Sequence, residues 1–208
     1  MVATAVLAEV IADACGVFRS VGFTAGMIHD IGRLGLLMAH PQEYERVVSN
    51  SAEHWLGVRE FETEEFGMHQ AEAGRMLAEP WRLPEEFAIV TGRHHDPCEG
   101  NEVDLLRIVH VACGLADALG YDFVRPLTQV DAPTALSNLP VPAKERLRLT
   151  PVELCDRIEA RIVEFGSGTT DLPPDFSLGL LASSRRLLQR IRLVSSQGAL
   201  RRGIDCHN

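Results

Sequence analysis

From Val6 to Val17 the apolar residues Val6, Val10, Ile11, Ala14 and Val17 recur every three or four positions. That period places side chains on one face of an α-helix. It returns in segment after segment, and no stretch of convincing length alternates apolar and polar residues as a strand does. The expected fold class is therefore all-α, a compact multi-helix bundle. Of the 208 residues 46% are hydrophobic, enough to fill a core, while only 6% are aromatic, so Leu, Ala and Val must build that core. Such a composition leans towards helices. No internal repeat is visible.

Glycine and proline divide the pattern. Gly22 is expected to separate the first helix from a second segment, Phe23 to about His40, apolar nearly all round and so deep in the core. Pro41 suits the first turn of a third helix ending near Gly57. A fourth is expected from Val58 to about Glu79, and Pro84 opens a fifth that runs to His94-His95 and stops before Pro97. Asp104 to Leu119 reads as a sixth. Pro126, Pro133, Pro140 and Pro142 then break any long helix, so residues 121–149 read as an extended connection with at most short helical turns. Thr150, Pro151 and Glu153 have the spacing of a capping box, with a helix following to about Phe165. A loop, a last helix from about Ser177 to Ser195 and a frayed tail complete the reading. Two parts result: 1–122, and 123–208 as a proline-interrupted connection with C-terminal helices packed on the first part.

The formal net charge is -9. An acidic surface repels phosphate backbones, which excludes bulk nucleic-acid binding. The pairs Arg185-Arg186 and Arg201-Arg202 are too short to reverse that. Cys15, Cys98, Cys113, Cys155 and Cys206 are scattered, odd in number and without CxxC spacing, as in a reduced cytosolic chain. No apolar run reaches the ~18 residues of a membrane span. The apolar start lacks a basic region and carries Glu9 and Asp13, unlike a signal peptide. The expected location is the cytoplasm, with no membrane association.

Three histidine features stand out. His29 and Asp30 are adjacent in an apolar segment, His94 and His95 are adjacent at a helix end, and His69 lies between them in sequence. Burying an unpaired carboxylate such as Asp30 costs on the order of several kcal/mol. A metal ion, a histidinium or a set of hydrogen-bond donors must compensate. Imidazole and carboxylate are usual ligands of divalent metals. A histidine at a helix C-terminus is also favoured by the helix dipole with no metal present. His40, His54 and His207 read as surface residues, and His110 as a hydrogen-bonded packing residue.

The run FTAGMIHDIGRLGLLMAHPQEYERVV resembles the HDOD family of the HD-type metal-dependent phosphohydrolase superfamily. EFGMHQAEAGRMLAEPWRLPEEFAIVTGRHHDP is similar to that family's second block, and IVHVACGLADALG to its third. The resemblance covers about residues 1–122. It implies a helical domain of the HD type in which histidines and aspartates from several helices hold one or two metals that activate water for attack on phosphorus. His29 and Asp30 match the HD pair, and His94 and His95 the later histidine-rich position. No histidine precedes His29. The second-block histidine falls on Gln70, with His69 one residue off register, a rotation of about 100° to another helix face. The final aspartate falls on Cys113, with Asp117 one turn further on.

The implied ligands are thus His29, Asp30, His94 and His95, with His69 and Gln70 as further positions facing a ligand. The implied cofactor is at most one divalent ion: Mn, Fe, Zn, Ni or Mg. Such a depleted set implies a catalytically degenerate regulatory domain of bacterial signal transduction. It would bind a protein partner, a second subunit or a small nucleotide. Two alternatives stay open: a metal-dependent phosphohydrolase or phosphodiesterase acting on a nucleotide or cyclic nucleotide, and a purely structural domain in which neighbouring donors satisfy Asp30. The family's region usually has further helices before this block, so the chain reads as N-terminally shortened, with apolar surface left for a partner or second subunit to cover.

Overall fold

A computed structural model describes residues 1–54, 57–98, 100, 102–121 and 130–167. Among the described residues the chain is helical with no strand. The helices are α1 (Val2–Cys15), α2 (Arg19–Ile28), α3 (Ile31–Ala39), α4 (Pro41–His54), α5 (Val58–Phe66), α6 (Gln70–Ala78), α7 (Glu85–Arg93), α8 (Leu105–Ala118), α9 (Ala132–Ser137), α10 (Val141–Arg146) and α11 (Pro151–Ser167). The all-α expectation holds.

Three boundaries differ from the sequence reading. The first helix ends at Gly16, not Gly22. Gly16 takes φ 77°, a left-handed conformation that suits glycine, and its N–H bonds back to the last turn. Gly22 lies inside α2, where a Cβ would run into Ala8 and Ala12 of α1. It brings two helices close; it does not separate them. The second expected segment is likewise two helices, α2 and α3, joined at His29-Asp30, where Asp30 leaves helical geometry with φ −99° and ψ 23°. The fourth is also two, because Gly67 at φ 70° closes α5 before α6 begins.

Elsewhere the punctuation acts as read. Pro41 opens α4 and Pro84 caps α7. Asp104 caps α8 by accepting from the Arg107 N–H at 2.8 Å. The proline-rich connection holds only the short helices α9 and α10 among its described residues. Glu153 accepts from the Thr150 N–H at 2.7 Å while the Thr150 hydroxyl accepts from the Glu153 N–H at 3.3 Å, the expected capping box. The last expected helix and the tail lie outside the described residues.

Residues 1–162 form one compact unit. Of a second, 163–208, only 163–167 at the end of α11 are described. The main core of the first unit joins Leu7 and Ile11 of α1 to Ile108, Val109, Val111 and Leu115 of α8. Ala135, Leu139, Ala143, Leu154 and Ile158 belong to the same core, so α9 to α11 are part of it. A smaller cluster, Leu36, Tyr44 and Ala73, lies among α3, α4 and α6. The two clusters flank the helix ends that carry the histidines.

Candidate metal centre

The bend between α2 and α3 sets His29 at the end of one helix and Asp30 at the start of the next. His94 closes α7, its N–H bonded to the Val90 carbonyl. The two imidazoles meet edge to face, 4.8 Å between ring centres. Asp30 lies against both: Oδ1 is 3.4 Å from His94 Nε2 and Oδ2 is 3.6 Å from His29 Nε2. One ligand atom from each of the three lies within 4.8 Å of the others.

The protonation pattern follows from the backbone. His29 Nδ1 donates to the Gly26 carbonyl at 2.7 Å, and His94 Nδ1 donates to the Val90 carbonyl at 3.0 Å. A neutral imidazole has one N–H, so both rings present a bare Nε2 lone pair to Asp30. Burial pushes His29 down to about 4; the nearby Asp30 carboxylate works the other way but does not offset it. His29 is therefore neutral near pH 7. Burial alone would raise Asp30, but the Arg33 guanidinium beside it holds its carboxyl well below the usual carboxylate range.

Three acceptors thus converge with no proton between them. His29 and His94 are 2% and 1% exposed. Asp30 Oδ1 and His94 Nε2 are buried and have no hydrogen-bond partner. Orphaned buried acceptors are expensive, and a cation resolves them all together. The donor set, two imidazole nitrogens and a carboxylate oxygen, suits a borderline divalent ion, so the residues fit one.

The other expected site residues are arranged differently. His95 follows His94, its ring centre 4.1 Å away. The Gln70 amide nitrogen donates to His95 Nε2 at 2.7 Å, so that lone pair is occupied. Gln70 itself is 2% exposed. Desolvation by the surrounding protein, and then His94, push His95 down, although the residue keeps an exposed face. His69 stands outside the cluster, at the N-terminus of α6, where its Nε2 accepts from Arg59 at 3.2 Å. Cys113 on α8 faces the site: burial, then Asp117 and Asp30, oppose ionisation of its thiol. His110 Nδ1 donates to the His94 carbonyl at 2.9 Å, a packing role as expected.

Two residues that matter were not singled out by sequence. Arg33 is 3.3 Å from Asp30 Oδ2 and balances part of its charge. The i to i+3 spacing of an acid and a base on one helix is the signal that could have found it. Glu62 is wholly buried. It accepts from the Tyr44 hydroxyl at 2.6 Å and from the Gln70 backbone N–H at 2.8 Å, which fixes where α6 begins. Within the acidic run of α5 nothing distinguishes it from its exposed neighbours.

Known proteins were compared with this geometry in hand. Residues 1–97 match the family model of the HDOD domain. No curated protein gives a significant sequence match. The fold is similar to the crystal structure of a "putative phosphohydrolase" from Shewanella amazonensis SB2B, with a TM-score of 0.53 and 18% identity over 74% of this chain. The chain spans 60% of the length of that protein. At that identity the likeness is one of fold, and it is a helical fold of the HD type. All three converging ligand residues lie inside residues 1–97, the segment that matches the HDOD domain model.

Proposed function

We propose that this protein is a regulatory HDOD domain of cytoplasmic signal transduction that holds one divalent cation and does not turn over a phosphoester. The carrying observation is the acceptor-only trio of His29, Asp30 and His94. It offers three protein ligands to one ion, while the next histidine, His95, is engaged by Gln70. A bound divalent ion would supply Lewis acidity and a structural cross-link between α2, α3 and α7. The chain's own residues do the rest: backbone carbonyls set both tautomers, and Arg33 limits the charge on Asp30.

The output of such a domain is binding, to a protein partner, a second subunit or a small nucleotide. A partner has apolar side chains to meet on α3 and α6, where Met38 is 83% exposed and Leu34 and Met76 are also exposed. Among the described residues no helix is long and apolar enough to cross a membrane.

A second reading, metal-dependent hydrolysis of a phosphoester in a nucleotide or cyclic nucleotide, has one observation in its favour: three protein ligands leave coordination positions open for water. One experiment separates the two. Protein purified without chelator is analysed for metal and assayed with bis(p-nitrophenyl) phosphate. About one equivalent of metal with no turnover is expected, and Asp30→Ala should lose the metal. Metal-dependent turnover that disappears in Asp30→Ala would overturn the regulatory reading.

A further inference from the structure

The turn between α6 and α7 holds an arginine in a conformation that few arginines adopt. Arg82 takes φ 50°, in the left-handed region that a Cβ disfavours and where glycine is the usual residue at a helix end. The Arg82 N–H donates to the Glu79 carbonyl at 3.0 Å and the Leu83 N–H to the Ala78 carbonyl at 3.1 Å, which closes the turn. A glycine would relieve the strain, but would place no guanidinium there. Arg82 lines a shallow groove of about 450 Å3 with Arg75, Met76, Glu79, Leu83 and Ala88. Met76, and Trp81 beside Arg82, are each more than half exposed. Arg19, Arg33, Arg46, Arg93 and Arg161 all sit on carboxylates. Among the described residues the side chains of Arg75 and Arg82 have no ion pair or hydrogen bond. With two arginines against Glu79, the groove is locally positive on a chain of formal charge -9.

Helix α11 carries the opposite pattern. Leu154 and Ile158 are buried, so Val152, Asp156 and Glu159, at i, i+4 and i+7, form a stripe on the far side of the helix. All three are exposed, Val152 by 68%. Neither carboxylate has an ion pair among the described residues. We propose that the α6–α7 groove receives α11 of a second copy of this chain, with Arg75 and Arg82 meeting Asp156 and Glu159 around Met76, Trp81 and Val152. The inference rests on the reading of this domain as a binding module and names its partner. Trp, Met and Arg are enriched where proteins meet, and complementary charge fixes which faces pair. Each chain carries both halves, so the contact is heterologous. One helix in one groove buries less than about 1,200 Å2, the range of weak, exchanging assemblies.

Sedimentation velocity of the full chain, from about 1 µM to about 500 µM, reads the association. A mass that rises with concentration is expected. Arg75→Glu with Arg82→Glu, or Asp156→Arg with Glu159→Arg, should each weaken association at least about tenfold. An equimolar mixture of the two double variants should recover it, because each reversed face then meets its opposite. Circular dichroism checks folding, and Arg82→Glu and Glu159→Arg alone repeat the test where a double variant is unfolded. A wild type that stays monomeric throughout would overturn the proposal and leave the groove to an acidic segment of another protein. Association unchanged in either variant, or not recovered in the mixture, would overturn it as well. Metal-dependent turnover of bis(p-nitrophenyl) phosphate would instead overturn the regulatory reading, and the mixture would still decide the contact.

Discussion

At the scale of single residues, the centre is organised by where protons are absent. His29 is neutral in the folded chain down to about pH 4. In an unfolded chain a histidine takes up its proton near pH 6.5. Between those values the unfolded state binds more protons, so acid favours unfolding and stability rises with pH. Asp30, also depressed in the folded state, has the same sign at lower pH. The metal-free protein should therefore lose stability as pH falls through about 6.5 towards 4, by on the order of 3 kcal/mol from His29. Urea titrations at pH 7 and pH 5 in the presence of chelator would check this. A midpoint that does not move would mean that His29 is not buried as a neutral ring. The trio itself was legible in sequence because a carboxylate within an apolar segment requires a partner. The fate of His95 was not, because residues 70 and 95 meet through packing, and no local rule connects positions twenty-five apart.

At the scale of elements, helix ends do most of the positioning. Asp30, Gln70 and His94 each sit at a terminus, and the α3–α6 contact brings the first two together. Gly32 makes that contact possible, since a Cβ there would overlap the carbonyl of Gln70 and the backbone of Gly74. Backbone cannot rotate aside as a side chain can. Gly32→Ala should destabilise the fold by about 3 kcal/mol and displace Gln70. Gly35→Ala, one turn on, meets only the end of the Leu77 side chain and should cost under about 1 kcal/mol. Thermal denaturation of the two variants would compare them directly, and equal losses would contradict the backbone-contact account. Helical period and proline placement were enough to read where most helices lie. The breaks at Gly16 and Gly67 were less visible, because a glycine that takes positive φ and one that permits close packing look the same in sequence. Gly22 is the second kind, and so was misread as a break.

At the scale of the whole molecule, the family match ends at residue 97 while the core does not. Ile158 of α11 is fully buried in the same cluster as Leu7 of α1, and Arg161 of α11 reaches Glu9 of α1 at 3.5 Å. Ile158→Ala should therefore cost about 2–5 kcal/mol, a core penalty and not a surface one. Chemical denaturation would show it as a lower midpoint with an unchanged slope. A loss within about 0.5 kcal/mol would place α11 outside the cooperative unit. Apart from the capping box at Thr150, the sequence offered no motif for α9 to α11, since small apolar residues on short helices carry only pattern. The pressing of Gly32 onto Gln70 has a mechanical consequence on this scale. Side chains in contact can absorb a displacement by changing rotamer, but two main chains in contact have no such slack. Asp30 caps α3 and Gln70 begins α6, so this main-chain contact ties the two helix starts together. The corner where α3 meets α6 therefore leaves little room for either helix start to move alone.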